Sequence, residues 1–132
     1  MNKYVLVFLM MTVVPVPVPV PAHAAWERLD ANLEKGETHF FDPEIVRKDN
    51  HYRKVWVLSS YDAEREGGYR SVKTFYEFDC QQIKARSQTM LLYPDSKALG
   101  KVIGAHHEGA KEWFDFSSDS IFAQISDTIC SE

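Results

Sequence analysis

The sequence predicts an α+β domain in which a run of strands is followed by one C-terminal helix. Three observations carry this. The stretch RSVKTFYEFDC (70–80) alternates, with Val72, Thr74, Tyr76, Phe78 and Cys80 on one face and mostly charged residues on the other, the period of a half-buried strand. The stretch SSDSIFAQISDTIC (117–130) changes to a helical period. Each stretch ends on one of the chain's two cysteines, Cys80 and Cys130, so the helix is expected to lie across the strand face and be fastened there by a disulfide. The 132 residues suffice for one domain.

The first 24 residues are expected to lie outside that domain. Asn2 and Lys3 precede an apolar run from Tyr4 to Val14, then alternating prolines at 15, 17, 19 and 21, then Ala22-His23-Ala24. A positive start, a brief apolar stretch and a small-x-small exit make a secretory signal, 1–24, with cleavage between Ala24 and Ala25. The apolar run is about half the length a bilayer-spanning helix needs, and the prolines favour an extended approach to the cleavage site. With no cysteine near the end of the signal to accept a lipid, the mature chain, 25–132, is expected to be exported and soluble, periplasmic or at the cell surface. Export makes the cysteine pair most simply a structural disulfide. It closes a loop of about 51 residues, for which chain entropy gives roughly 4 kcal/mol. The net charge is −4 and becomes −5 once Lys3 leaves with the signal. An acidic module of this size has no broad basic face for nucleic acid, and its contact with a membrane is through export alone.

Element by element, Trp26 to Leu29 reads as a short first strand and 32–37, with Gly36, as a turn. Thr38 to Phe41 reads as a second strand, stopped by Asp42-Pro43. Glu44 to Val46 makes a brief apolar touch before a turn at 48–50. HYRKVWVLSSY (51–61) is β-branched and aromatic, with Tyr52, Trp56 and Leu58 on one face and Val55, Val57 and Tyr61 on the other. Apolar on both faces, it is expected to be central. The charged loop 62–68 leads to strand 70–80, and Gln81-Gln82 turn the chain into IKARSQTMLLY (83–93). There Ile83, Ala85, Ser87, Thr89, Leu91 and Tyr93 are placed on one face. The small residues 85, 87 and 89 are read as the bed of the helix. Lys84, Arg86 and Gln88 take the wetter face. After the loop 94–100, a strand at 101–107 and a short one near 113–116 are expected. Ser117-Ser118 are read as helix N-caps, with Asp119 in the first turn. Ile121, Phe122, Ile125 and Ile129 form the apolar stripe, with Cys130 at its edge.

Chemistry-bearing residues are sparse. In His106-His107-Glu108, neighbouring strand residues point to opposite faces, so only His106 and Glu108 could converge on a metal. Solvated histidines are the expected reading, with no metal and no cofactor. Ser59, Ser60, Ser71 and Ser87 lie within strands and lack a Gly-x-Ser-x-Gly elbow, and the acidic Glu64 and Glu66 sit in a wet loop. No catalytic residue is assigned. Lys84 and Arg86, with Arg70 and Lys73, are the candidate binding residues, as a polar patch on the outer sheet face.

The chain resembles the surface-adhesin protein E-like domain family of Gram-negative bacteria. The matching residues are Trp26 at the mature start, FFDPEIV (40–46), VWVLSSYD (55–62), SVKTFYEFDC (71–80), Trp113, and a final helix closing on Cys130. The resemblance spans roughly 26–130. It implies an antiparallel sheet of about six strands with the C-terminal helix packed on its concave face. It also implies an exported, non-enzymatic binding module that recognises a host matrix or bacterial envelope protein. A periplasmic structural or housekeeping envelope protein without adhesive role is the alternative.

Overall fold

The computed structural model describes residues 11–16, 25–31, 34–107 and 110–131. The expected signal lies outside the described residues except for 11–16, so Ala22-His23-Ala24 is not among them, and neither is Glu108. Among the described residues no helix is long and apolar enough to cross a membrane.

Among the described residues seven strands and one helix follow in order: β1 (Glu27–Leu29), β2 (Glu37–Phe41), β3 (Arg47–Asp49), β4 (Tyr52–Tyr61), β5 (Ser71–Asp79), β6 (Lys84–Tyr93), β7 (Gly104–His106) and α1 (Ile121–Ile129). All pairings are antiparallel, in the order β1-β2-β4-β5-β6-β7, with β3 also on β4. The strand at 51–61 is central as expected, with β5 along one edge and β2 and then β3 along the other. β3 is the strand beyond the six. It forms where 48–50 reads as a turn, because Asn50 takes a left-handed backbone (φ 57°) and tightens the reversal to Asn50-His51. Asn tolerates that conformation better than most residues. Of the strand expected at 101–107, Gly104–His106 pairs with β6, and near 113–116 a single bridge joins Phe114 to Ala85.

The face carrying Val55, Val57 and Phe78 is closed by α1. Ile125 and Ile129 are buried with these residues and with Leu29, Phe41 and Ala85. The Phe122 ring lies 5.1 Å from both Tyr76 and Phe114 and 6.1 Å from Phe116, edge-on for the first two, an arrangement aromatic rings favour. Cys80 and Cys130 are bonded, so the strand end is fastened to the helix end. Gln124 Oε1 accepts from the Asp30 and Ala31 amides and ties the other flank of α1 to the end of β1.

Two expectations are corrected. The helix begins later than Ser117-Ser118: Ser120 is the N-cap, its hydroxyl accepting from the Ala123 amide, and the first turn holds no acidic residue. Residues 117–120 instead form a turn closed by the Ser120 amide and hydroxyl donating to the Ser117 carbonyl. Asp119 accepts from Ser117 there. The second concerns 83–93. Pairing runs Tyr76 to Ser87 and then Phe75 to Thr89, with Gln88 left over. This bulge inserts one residue, and every side chain beyond it changes face. Ala85 packs under the helix while Leu91 and Tyr93 join Leu58 on the other side, so the bed ends at Ser87 and excludes Thr89.

Candidate functional site

The bulge gives the helix-free face of the sheet two unlike halves. One half is apolar and aromatic. Trp26 and Arg28 from β1 and the residue before it, Thr38 and Phe40 from β2, and Leu58 and Ser60 from β4 alternate onto it. Together with Ser96, Lys97 and Leu99 of the 94–100 loop they line a groove of about 510 Å³. Trp26 is shared with an adjoining cleft of about 150 Å³ that also contains Trp56, Lys73, Leu91 and Tyr93. Leu99 at the rim is 82% exposed. The Lys73 ammonium stands 5.7 Å from the Trp26 ring and 5.5 Å from the Tyr93 ring, within cation–π range. Trp56 and Phe75 stack at 4.7 Å beside them, and the Arg47 guanidinium lies 5.7 Å from Phe75.

The loop that walls this groove is held from two sides. The buried Ser71 hydroxyl donates to the Asp95 carbonyl and accepts from the Ala98 amide. The Asp95 carboxylate accepts from the amides of Lys97, Leu99 and Gly100. Those hydrogen bonds, that from Leu99 foremost, lower its pKa from the ordinary carboxylate value. Burial pushes the Tyr93 phenol up, with Asp95 adding to the effect. The phenol, which lines the adjoining cleft, therefore stays neutral.

The other half of this face is ionic. Glu77 receives Arg86 at 2.6 Å and Lys54 at 3.9 Å, and the Arg86 guanidinium lies 4.2 Å from the Trp113 ring, which stacks with Tyr52. Lys84 reaches Asp115 at 3.5 Å. Thus Lys84 and Arg86 share a neighbourhood but are turned toward carboxylates. Arg70 is separate, donating to the Asp62 carbonyl, and Lys73 belongs to the aromatic half. Four residues along β5 separate Lys73 from Glu77, about 13 Å at strand rise.

Some residues that sequence reading left aside acquire partners. Ser59 Oγ is 2.8 Å from His39 Nδ1, and His39 Nε2 is 3.4 Å from Glu37, which also pairs with Arg65 at 2.7 Å. Distances alone suggest a nucleophile, base and acid. However, Ser59 is paired on both sides, with His39 and Val72, so nearby amides serve the ladder rather than an oxyanion. Ser59 lines neither the groove nor the adjoining cleft. Among the described residues no group of three or more His, Cys, Asp or Glu side chains could hold a metal, and His106 and His107 are exposed.

Two further buried, charged residues escaped the sequence. Arg53 is buried, and its guanidinium donates to the carbonyls of Ile129, Asn50 and Tyr52. That places a cation at the carbonyl end of α1, where the helix dipole favours it. Asp42 is 3% exposed and accepts from the amides of Ala25 and Glu44. An Asp in a predicted Asp-Pro turn was visible. Its depth and its contact with Ala25 were not.

A sheet closed on one face by a disulfide-stapled helix, with an aromatic groove open to solvent on the other, defines an α+β domain with one accessible sheet face. The chain belongs to the surface-adhesin protein E family, whose match covers residues 26–131. This is the family that the sequence resembles, and the match covers the whole sheet and helix. No curated protein and no solved structure matches the chain.

Proposed function

We propose that the protein is an exported, non-enzymatic binding module that recognises an extracellular or envelope protein through the aromatic half of its helix-free sheet face. The observation that carries this is the groove of about 510 Å³ around Trp26, Phe40 and Leu58, continuous through Trp26 with the cleft where Lys73 faces two aromatic rings. Aromatic area with a half-buried cation beside it resembles the composition that concentrates binding energy at protein interfaces, where aromatic residues are enriched. Family membership supports an adhesin-like role at the cell surface.

The test uses the mature domain with its disulfide intact against immobilised host-matrix and bacterial envelope proteins. Leu99→Glu places a charge on the groove rim at a residue already exposed, so the fold is retained. Capture by the wild type, reduced about tenfold or more by Leu99→Glu and little by Lys84→Ala, is the expected result. Absence of capture from both sources, or equal capture by Leu99→Glu, refutes it. Protease added to intact cells then separates a surface role from a periplasmic one. Digestion assigns the partner to the host side, and protection with release by osmotic shock assigns it to the cell's own envelope.

A further inference from the structure

We propose that Asp42 is the receptor for a new N-terminus, and that removal of the signal peptide completes the aromatic groove by creating an ion pair between Ala25 and Asp42. Ala25 N lies 3.1 Å from Asp42 Oδ2, while Oδ1 accepts from Glu44 two residues on. Ala25 is also the residue that the sequence places first after cleavage, and the family match begins one residue later, at Trp26. Hydrolysis of the Ala24–Ala25 bond by a signal endopeptidase adds one water. Ala24 leaves as a carboxylate, and the Ala25 nitrogen becomes an α-ammonium.

The same hydrogen bond is then charge-assisted at both ends, which roughly doubles the strength of such a contact. The fold already buries the Asp42 carboxylate, and a cation beside it attracts it more strongly than it would in water, because the effective dielectric there is lower. The position gives the pair a consequence. Asp42 lines the cleft with Trp26, Trp56 and Lys73, and Trp26, next in the chain to Ala25, lines both that cleft and the larger groove. An N-terminal residue would otherwise fray. Clamped at Ala25, the chain holds the Trp26 indole over the groove and feeds β1 into register with β2, where Glu27 meets Phe41. Unprocessed chain has only a neutral amide at this point, so the groove is set firmly after export and less so before.

The full-length gene product is exported from a Gram-negative host and its intact mass is measured. Three forms are then compared: the exported protein, a form with one glycine inserted before Ala25 (an amide in place of the ammonium), and Asp42→Asn. The expected mass begins at Ala25. The Ala25 amine should react with an amine-selective acylating reagent at least tenfold more slowly in the native fold than in urea, and Asp42→Asn should abolish that protection. The glycine insertion should raise the unfolding equilibrium constant about tenfold, and should have no further effect in the Asp42→Asn background. If Asp42→Asn does not fold, the glycine-extended form against the exported one decides alone. A mature chain beginning elsewhere, an Ala25 amine labelled equally fast in native and unfolded protein, or a glycine extension without effect on unfolding overturns the proposal.

Discussion

Replacing both cysteines, Cys80→Ser with Cys130→Ser, should cost the fold about 4 kcal/mol. The bond joins residues 50 apart in sequence, and loop-closure entropy for that length gives about 4 kcal/mol through the unfolded chain. The structure says where the loss should fall. α1 has nine residues, too few for an isolated helix to persist in water, and it stays in place through Ile125, Ile129, Phe122 and the bond at its last turn. Net stability of a domain this size is about 5–15 kcal/mol, so the variant should remain folded but marginal. In urea, with m about 2 kcal/mol/M, the midpoint should fall by about 2 M, with a steeper transition because the uncrosslinked chain exposes more surface. Reduced wild type should match the variant. An unchanged midpoint in both would refute the reasoning, since it would mean that helix and sheet hold together without the tether.

Other perturbations follow from packing and hydrogen bonding. Ile125→Ala removes a fully buried side chain under the sheet and should cost about 3 kcal/mol by chemical denaturation. Arg53→Ala leaves the Ile129, Asn50 and Tyr52 carbonyls without their donor and should cost about 2–3 kcal/mol. Arg53→Lys should recover only part, because an ammonium lacks the guanidinium fork. Asp95 has a lowered pKa in the fold, so its hold on the loop is fully present above the ordinary carboxylate value of about 3.9. That hold is lost as pH falls through the lowered value. Hydrogen-exchange protection at the Leu99 and Gly100 amides should therefore be higher in wild type than in Asp95→Ala at pH 6. The difference should disappear once Asp95 is protonated in the fold.

Much of this architecture was legible because strands alternate and helices do not. Val55 and Val57 against Trp56 and Leu58 set the two faces of β4, and the isoleucines at 121, 125 and 129 set the buried stripe of α1, four residues apart. The face change in β6 was not legible. A bulge that uses Gln88 rather than glycine has no compositional mark, and the consecutive apolar run Met90-Leu91-Leu92 is the one trace that simple alternation fails there. The binding candidates suffered from the same cause. Lys84 and Arg86 read as a basic patch because the sequence shows the charges on their own strand but not Glu77 across the ladder or Asp115 arriving from 31 residues later. Arg53 carries no mark in the sequence, since its partners are main-chain carbonyls, which every residue has and no pattern reveals.

The division of the open face into two halves bears on where binding energy can come from. In the ionic half each cation already has its carboxylate: Arg86 and Lys54 on Glu77, Lys84 on Asp115. A partner docking there would have to replace contacts already made, and the net gain from exchanging one partly exposed ion pair for another is small. The aromatic half is different. Trp26, Phe40 and Leu58 present apolar surface to a groove, and Lys73 is satisfied by ring faces, so a ligand entering it removes apolar area from water without breaking a strong contact. Among the described residues one helix, of nine residues, closes one face of a sheet whose central strand is apolar on both. In the aromatic half of the second face, the described residues leave a groove between Trp26 and the 94–100 loop. The same shortage of covering structure that makes this face costly to leave in water makes it the face on which a partner gains most.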